Sequence, residues 1–335
     1  MSEKPINSTI NLHRSLGPNG PIIPPLGLGS WNTWDRMSPD EAVAMIQKAV
    51  KNNAGLFDVG SYSSGPHVDE QSSTDALFGK AFRQSGIARD DVTIFGKVWL
   101  WDWPRHTFRE QAEHILQRAG LDRFDAIVVG AYPASPDVAS IVVKMNELIA
   151  DGVTQAWGIS NWIPTDVHKA LEVAEELGLT PPVFAQLKYS IARRSMGEGK
   201  NYSDLFRNGT LTMQASDSFE GGILAGKLNP ERRIGLDDGG IREQIVAAYP
   251  EIERIAASFD ATPAQAAIAF CLAYQPTSNV LFGASRMDQL ESNLGAIKLA
   301  TEKGPELREA LEQFWLDRGV PAGWLDDPQT ARVSW

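Results

Sequence analysis

Asp58 and Lys97 each stand near the end of a short apolar run, in LFDVG and VTIFGKVW. A carboxylate and an ammonium at neighbouring strand ends predict a buried ion pair. Such a pair either tunes a nearby proton donor or serves as a structural salt bridge. Tyr62 follows four residues after Asp58. Ser160, Asn161 and Gln186 end or follow two later runs, TQAWGIS and VFAQLKYS. These compact hydroxyl and amide groups suit recognition of a carboxamide such as that of nicotinamide, or ordinary turn capping. Trp99, Trp101, Trp103 and Trp162 follow the same runs, and Trp324 and Trp335 lie in the tail. They form either an apolar substrate wall, with Trp99 and Trp162 at its centre, or packing that closes a mouth.

The elements that must position these residues are legible as an alternation. Eight apolar runs recur between Leu26 and Gly283: LGLGSW, LFDVG, VTIFGKVW, AIVVGAY, TQAWGIS, VFAQLKYS, LTMQAS and NVLFG. They are short and not strictly alternating, as strands buried on both faces of a parallel sheet are. Amphipathic stretches follow them, at Pro39–Asn52, Asp69–Gln84, Phe108–Arg118, Asp137–Ala150, Thr165–Leu177 and Arg242–Ser258. Ser38 with Glu41 forms a capping-box pattern before the first stretch. The fold class predicted is α/β, a (β/α)8 TIM barrel, whose active site lies at the C-terminal ends of the strands. Residues 8–25, around Gly17-Pro18-Asn19-Gly20, predict a β-hairpin plug at the opposite end. The chain reads as one domain over 1–335: hairpin 8–25, barrel 26–300, and a C-terminal helix and tail, 301–335, with a substrate loop. LGLGSWNTW contains no G-x-G-x-x-G, so a Rossmann site is unsupported.

Composition narrows the function. The 335 residues carry a formal net charge of −11, which argues against nucleic acid, since phosphate binding needs clustered Lys and Arg. The single cysteine, Cys271, lies in AAIAFCLAY and predicts a buried core thiol. The N-terminus shows no secretion signal, and no stretch approaches the ~20 apolar residues of a spanning helix. The expectation is a cytoplasmic enzyme with a small-molecule substrate, no membrane, no metal and an open oligomeric state.

The ordered set L-G-L-G-S-W, F-D-x-x-x-Y, a lysine ending the third run, G-I-S-N-W, G-G-I-L-A-G-K and G-A-S-R-x-x-Q-L-x-x-N resembles the aldo-keto reductases. The nearest resemblance is to the long-chain branch with potassium-channel β-subunits and bacterial reductases. The resemblance implies NADPH or NADH as cofactor. It matches Asp58, Lys97 and, one residue early, Tyr62 to the catalytic set. It matches Ser160, Asn161 and Gln186 to the nicotinamide carboxamide, and Phe219, Gly222, Leu224 and Lys227 to the pyrophosphate loop. Ser285 and Arg286 match the adenosine-side phosphate region, and Gln289 and Asn293 the adenine end.

Three positions depart from the family. Its tyrosine normally falls where Ser63 stands, its histidine falls on Gly130, and an aromatic that stacks under the nicotinamide falls on Ser216. Carbonyl reduction makes an alkoxide that needs an acid and oxyanion donors, each worth about 10²–10⁴ in rate. An iminium needs neither, only negative charge nearby. Asp58 is placed to supply that charge, and Asp217, Glu220 and Asp102 at neighbouring strand ends either add to it or form a solvated rim. The leading expectation is therefore an NAD(P)H-dependent imine reductase. The alternatives are a carbonyl reductase using a repositioned Tyr62, and a cofactor-binding regulatory protein.

Overall fold

The structure is a computed structural model describing residues 12, 14–31, 33–62, 72–130, 136–230 and 237–318. A short antiparallel pair, β1 (Arg14–Ser15) and β2 (Ile22–Ile23), precedes a closed barrel. All eight apolar runs become its strands: β3 (Leu26–Gly29), β4 (Leu56–Gly60), β5 (Thr93–Trp99), β6 (Ala126–Gly130), β7 (Ala156–Ser160), β8 (Phe184–Lys188), β9 (Thr212–Ser216) and β10 (Thr277–Phe282). Every pairing is parallel, and β10 closes onto β3.

The six expected helices form, five with a shifted end, α1 (Pro39–Lys51), α2 (Thr74–Ser85), α3 (Phe108–Ala119), α4 (Val138–Ala150) and α5 (Pro164–Leu177), and one, after two short helices, at the expected bounds, α8 (Arg242–Ser258). The expected start of α2 at Asp69 lies outside the described residues. Ser38 caps α1 as the spacing predicts, its hydroxyl accepting from Glu41 N while Glu41 returns to the Ser38 backbone. The α6 (Ser195–Glu198), α7 (Lys200–Arg207), α9 (Pro263–Leu272), α10 (Met287–Leu294) and α11 (Ala296–Ala310) helices have weaker sequence signatures. In α9 the sequence PAQAAIAFCL is apolar on nearly every side, because the helix is buried against α11 and β10, and so shows no amphipathic period. Cys271 is fully buried there, and burial raises its thiol above the ordinary range. The boundary expected at residue 300 falls inside α11, so barrel cover and C-terminal helix are one element. Trp324, Trp335 and the expected substrate loop lie outside the described residues. Among the described residues no single helix is long and apolar enough to cross a membrane.

The hairpin closes the N-terminal end of the barrel. Leu16 and Ile23 bury themselves with Leu56, Phe95, Ala126, Val128, Phe184 and Leu281, a cluster separate from the main core between barrel and helices. The Arg14 guanidinium donates to the backbone oxygens of Leu272, Tyr274 and Thr277, tying the hairpin to the entry of β10. Because Ile23 is 2 % exposed in a small cluster with little room to relax, Ile23→Ala is expected to cost about 2–5 kcal/mol. Equilibrium urea unfolding measures this, and a loss under about 0.5 kcal/mol would show that the hairpin is not a packed plug.

Candidate active site

Parallel register sets polar side chains at one level across four strands. Ser160 on β7 pairs with Gln186 on β8, Gln186 with Gln214 on β9, and Gln214 with Asn279 on β10. Their side chains form a directed chain inside the barrel. Asn279 Nδ2 donates to the Pro24 carbonyl (2.8 Å), Gln214 Nε2 to Asn279 Oδ1 (2.9 Å), and Gln186 Nε2 to Gln214 Oε1 (2.8 Å). The Pro24 carbonyl can only accept, so it fixes the sense of every amide above it. At the top, Gln186 Oε1 accepts from Lys97 Nζ (2.6 Å) and Ser160 Oγ (3.4 Å), and Gln186 Nε2 also donates to Asp58 Oδ2 (3.1 Å). All four hydrogen-bonding positions of the Gln186 amide are thus used.

This corrects the ion pair expected of Asp58 and Lys97. The carboxylate and the ammonium meet through Gln186, not directly. Burial drives both toward neutrality: Asp58 is raised and Lys97 lowered, each shift opposed by the other's charge. Asp58 is 4 % exposed, and its Oδ1 is buried with no hydrogen-bond partner among the described residues. Gln186, expected to meet a nicotinamide carboxamide, is instead committed to this network. Asn161 sits in the left-handed region (φ 53°), its Oδ1 accepting from Lys188 N (2.8 Å), which leaves its amide nitrogen as the remaining donor of that group.

Tyr62 folds back over Gly60, its ring edge-on to Trp99 with centroids 5.4 Å apart, and its hydroxyl lies near the Ser30 side chain. Burial first, and then the Asp58 charge, raise the phenol above the ordinary tyrosine range. Trp99 donates to Ser61 O (2.9 Å), stacks on Trp101 at 4.6 Å and lies 5.3 Å from Lys97 Nζ. At Gly130 an added Cβ would meet Lys97 Cε at 3.1 Å and Ser160 Cβ and Trp99 at 3.5 Å. A side chain at this position would therefore crowd the Lys97 Cε methylene. Trp162 is fully buried, donating to Val129 O (3.0 Å), so it is core packing, not the pocket wall expected. Ser216, lacking a ring, donates to Leu187 O (3.0 Å). Ser63, Ala131 and Tyr132 lie outside the described residues.

The loop acids are occupied elsewhere. Asp217 Oδ1 accepts from Gly221 N (3.0 Å), Asp102 holds His106 Nδ1 (3.0 Å), and Glu220 is buried against Arg193. Asp217, expected in the substrate pocket, thus serves its own turn. In the glycine loop after β9, Phe219 O accepts from Gly222 N and Leu224 N, and Leu224 is wholly buried in the core. Lys227 lies along Gly222, whose φ of +108° suits glycine alone. Beyond β10, Gln289 Oε1 accepts from Ser285 N (3.0 Å), Asn293 is buried, and the exposed Arg286 forks onto Asp288 (3.0 and 3.1 Å). Gln214 and Asn279 were missed in the sequence, where each is an amide inside an apolar run.

The family model of the aldo/keto reductase family matches residues 25–312. The chain is 24 % identical over 321 residues to a probable voltage-gated potassium channel subunit beta of Arabidopsis thaliana, covering 90 % of this chain and 95 % of that protein. It is similar to a thermostable aldo-keto reductase solved with the inhibitor epalrestat, at a TM-score of 0.70 and 24 % identity, over 90 % of this chain and 98 % of that one. It is also similar to an aldo/keto reductase from Klebsiella pneumoniae solved with NADP and acetate, at 0.69 and 19 % identity, over 90 % and 95 %. The chain belongs to the aldo/keto reductase family.

Gln214→Leu keeps the side-chain volume but leaves one hydrogen of Gln186 Nε2, and Asn279 Oδ1, without a partner. It is expected to cost about 1–3 kcal/mol for each group left unpaired. Denaturant unfolding reads the loss. A variant within about 0.5 kcal/mol of wild type would mean that the amide chain does not order the barrel interior.

Proposed function

We propose that this member of the aldo/keto reductase family is a cytoplasmic reductase using NADPH or NADH, and that its substrate carries a C=N bond protonated as an iminium. One observation carries the reading. Asp58 presents a buried carboxylate oxygen without a donor, while the groups that would serve an oxyanion are absent or engaged. Position 130 is glycine, the Lys97 ammonium gives one of its three hydrogens to Gln186, and the Tyr62 phenol is a weakened acid beside Ser30.

The residues present fit a dinucleotide. A Cβ at Gly222 would stand 3.3 Å from Lys227 Cδ, so the bare glycine backbone leaves a groove beside a cation. At Gly283 a Cβ would meet nothing within 4 Å, leaving open space next to Ser285 and Arg286. The Arg286 fork suits a phosphate and would exchange Asp288 for it, which favours a 2′-phosphate. The bound relative from Klebsiella pneumoniae, solved with NADP, supports the same cofactor class. Ser160 and the free amide nitrogen of Asn161 would orient the carboxamide.

When bound, the dihydronicotinamide supplies a hydride. Transfer to the iminium carbon would leave the oxidised nicotinamide and a neutral amine, so no protein group would have to deliver a proton. Asp58 would stabilise the cation before transfer, and the cation would in turn favour the ionised carboxylate. Trp99 and Trp101 offer the cation an aromatic flank. A carbonyl reading has one observation in its favour: the Tyr62 ring stands at the same mouth, close enough for Asp58 to act on its ionisation.

Wild type is expected to bind NADPH or NADH by tryptophan-fluorescence titration, and Arg286→Ala to weaken that binding by about 1.5–3 kcal/mol, the worth of one charge-assisted contact. Binding of neither nucleotide would overturn the reading.

Cyclic-imine and aldehyde panels, followed by NAD(P)H oxidation, decide between substrates. With an iminium, Tyr62→Phe keeps most of the single-turnover rate, whereas Asp58→Asn or Lys97→Met lowers it by about 10² or more. Gly130→His forces Lys97 Cε aside and slows imine reduction. Aldehyde turnover that collapses in Tyr62→Phe and rises in Gly130→His selects the carbonyl reading. Binding without turnover of either panel selects a regulatory one.

A further inference from the structure

We infer that Gln214 and Asn279 are positioning residues for the reaction: anchored on the Pro24 carbonyl, they hold the Gln186 amide in the one sense that keeps Asp58 a carboxylate and Lys97 an ammonium. Both side chains are fully buried inside the barrel, so neither touches substrate. Their consequence for turnover rests on the reading of Asp58 as the anion that meets an iminium.

The Gln186 amide contacts Asp58, Lys97, Ser160 and Gln214. The first three of these groups can exchange the roles of donor and acceptor. Ser160 does so by turning its hydroxyl. Asp58 and Lys97 do so by passing one proton, which leaves Lys97 Nζ and arrives on Asp58 Oδ2. The proton count is unchanged, and a carboxylic acid then stands beside an amine. An amide turned end for end fits all three. Its oxygen accepts from the acid, and its nitrogen donates to the amine and to Ser160 Oγ. Burial favours this neutral arrangement, since it raises Asp58 and lowers Lys97.

The chain below Gln186 opposes it. Gln214 Oε1 accepts from Gln186 Nε2 (2.8 Å), Gln214 Nε2 donates to Asn279 Oδ1 (2.9 Å), and Asn279 Nδ2 donates to the Pro24 carbonyl (2.8 Å). No amide in this chain can change role by giving up a proton. A turned Gln186 would set its oxygen against Gln214 Oε1. Relief would need Gln214 and Asn279 to turn as well, and would end with Asn279 Oδ1 against the Pro24 oxygen. A buried acceptor facing an acceptor is costly, so the carbonyl at the closed end of the barrel selects the ionised pair at the open end.

The titratable groups that act on the pair are its own members. Lys97 acts on Asp58, Asp58 on Lys97, and Asp58 in turn on Tyr62, which Asp75 also faces. Without the chain, the proton is expected to move from Lys97 to Asp58, which makes the lysine a free amine at a lower pH.

The test uses the full chain without nucleotide. Trace acetic anhydride labels amines in their neutral form, and Lys97 is partly exposed, so its labelling is read across pH by peptide mass spectrometry. In Gln214→Leu and in Asn279→Leu the Lys97 midpoint is expected about one pH unit below wild type, the worth of one hydrogen bond. Asn279→Asp still accepts from Gln214 Nε2 in either protonation state, so the sense of the chain survives. Its midpoint should not fall, although a buried carboxyl lowers stability. Loss of packing alone would lower stability in all three and move no midpoint. Circular dichroism checks folding, and either leucine variant carries the test if the other does not fold. A wild-type midpoint in a folded leucine variant, or a fall in Asn279→Asp as large as in Asn279→Leu, would overturn the inference. Imine turnover at neutral pH is expected to drop about tenfold in the leucine variants as Asp58 takes the proton. A wild type that reduces no imine overturns the substrate reading, and the labelling result still decides the amide chain.

Discussion

The Gln186 side chain is the constraint on which the mouth of the barrel depends. Its amide has two donor hydrogens and two acceptor lone pairs, and all four are engaged, by Asp58, Gln214, Lys97 and Ser160. A buried amide in this position cannot turn over without facing donor against donor at Lys97 and acceptor against acceptor at Asp58 and Gln214. The sense of the chain is imposed from below, where the Pro24 carbonyl admits only a donor. The hairpin at the closed end of the barrel thereby reaches the chemistry at the open end, through three amides and no moving part.

That arrangement also accounts for how two ionisable groups persist in a low-dielectric site. A direct buried pair recovers its desolvation only with excellent geometry and further hydrogen bonds. Here the intervening amide offers an acceptor to Lys97 and a donor to Asp58, and burial still moves each toward its neutral form. The site is consequently responsive to a third charge. A cation arriving beside the bare Asp58 Oδ1 completes the coordination of that carboxylate. An oxyanion arriving at the same place meets the carboxylate, a lysine that already gives one hydrogen to Gln186, and a phenol made less acidic by its surroundings.

Much of this was legible in the sequence. Eight apolar runs became eight strands, because burial on both faces writes itself as short hydrophobic stretches whatever the tertiary detail. The ordered motifs identify a family that the family model also shows. The departure at position 130 was readable as a missing imidazole. Its structural meaning was not, since only coordinates show Lys97 Cε standing against that position. Trp162 read as a pocket wall because residue type and strand end do not reveal which way an indole points; its N–H went to Val129 and its ring to the core. Asp217 and Asp102 read as acids for a cation, but a carboxylate at a turn finds backbone or a neighbouring ring before it finds a ligand. Gln214 and Asn279 stood in plain view inside apolar runs, and an amide at a strand position that register sets beside another amide is a signal worth reading.

The replacement of histidine by glycine can then be weighed as one change among several that agree. Removing the imidazole alone would leave a vacant volume and an exposed lysine, a weakened carbonyl reductase. In this chain a Cβ at position 130 would crowd Lys97 Cε, the ammonium gives a hydrogen to Gln186, Gln214 and Asn279 fix that glutamine, and burial makes the Tyr62 phenol a weaker acid. Each feature weakens a group that would meet an oxyanion, and none removes the carboxylate. That these features share one electrostatic direction is the physical support for the proposal of a substrate that brings its own positive charge.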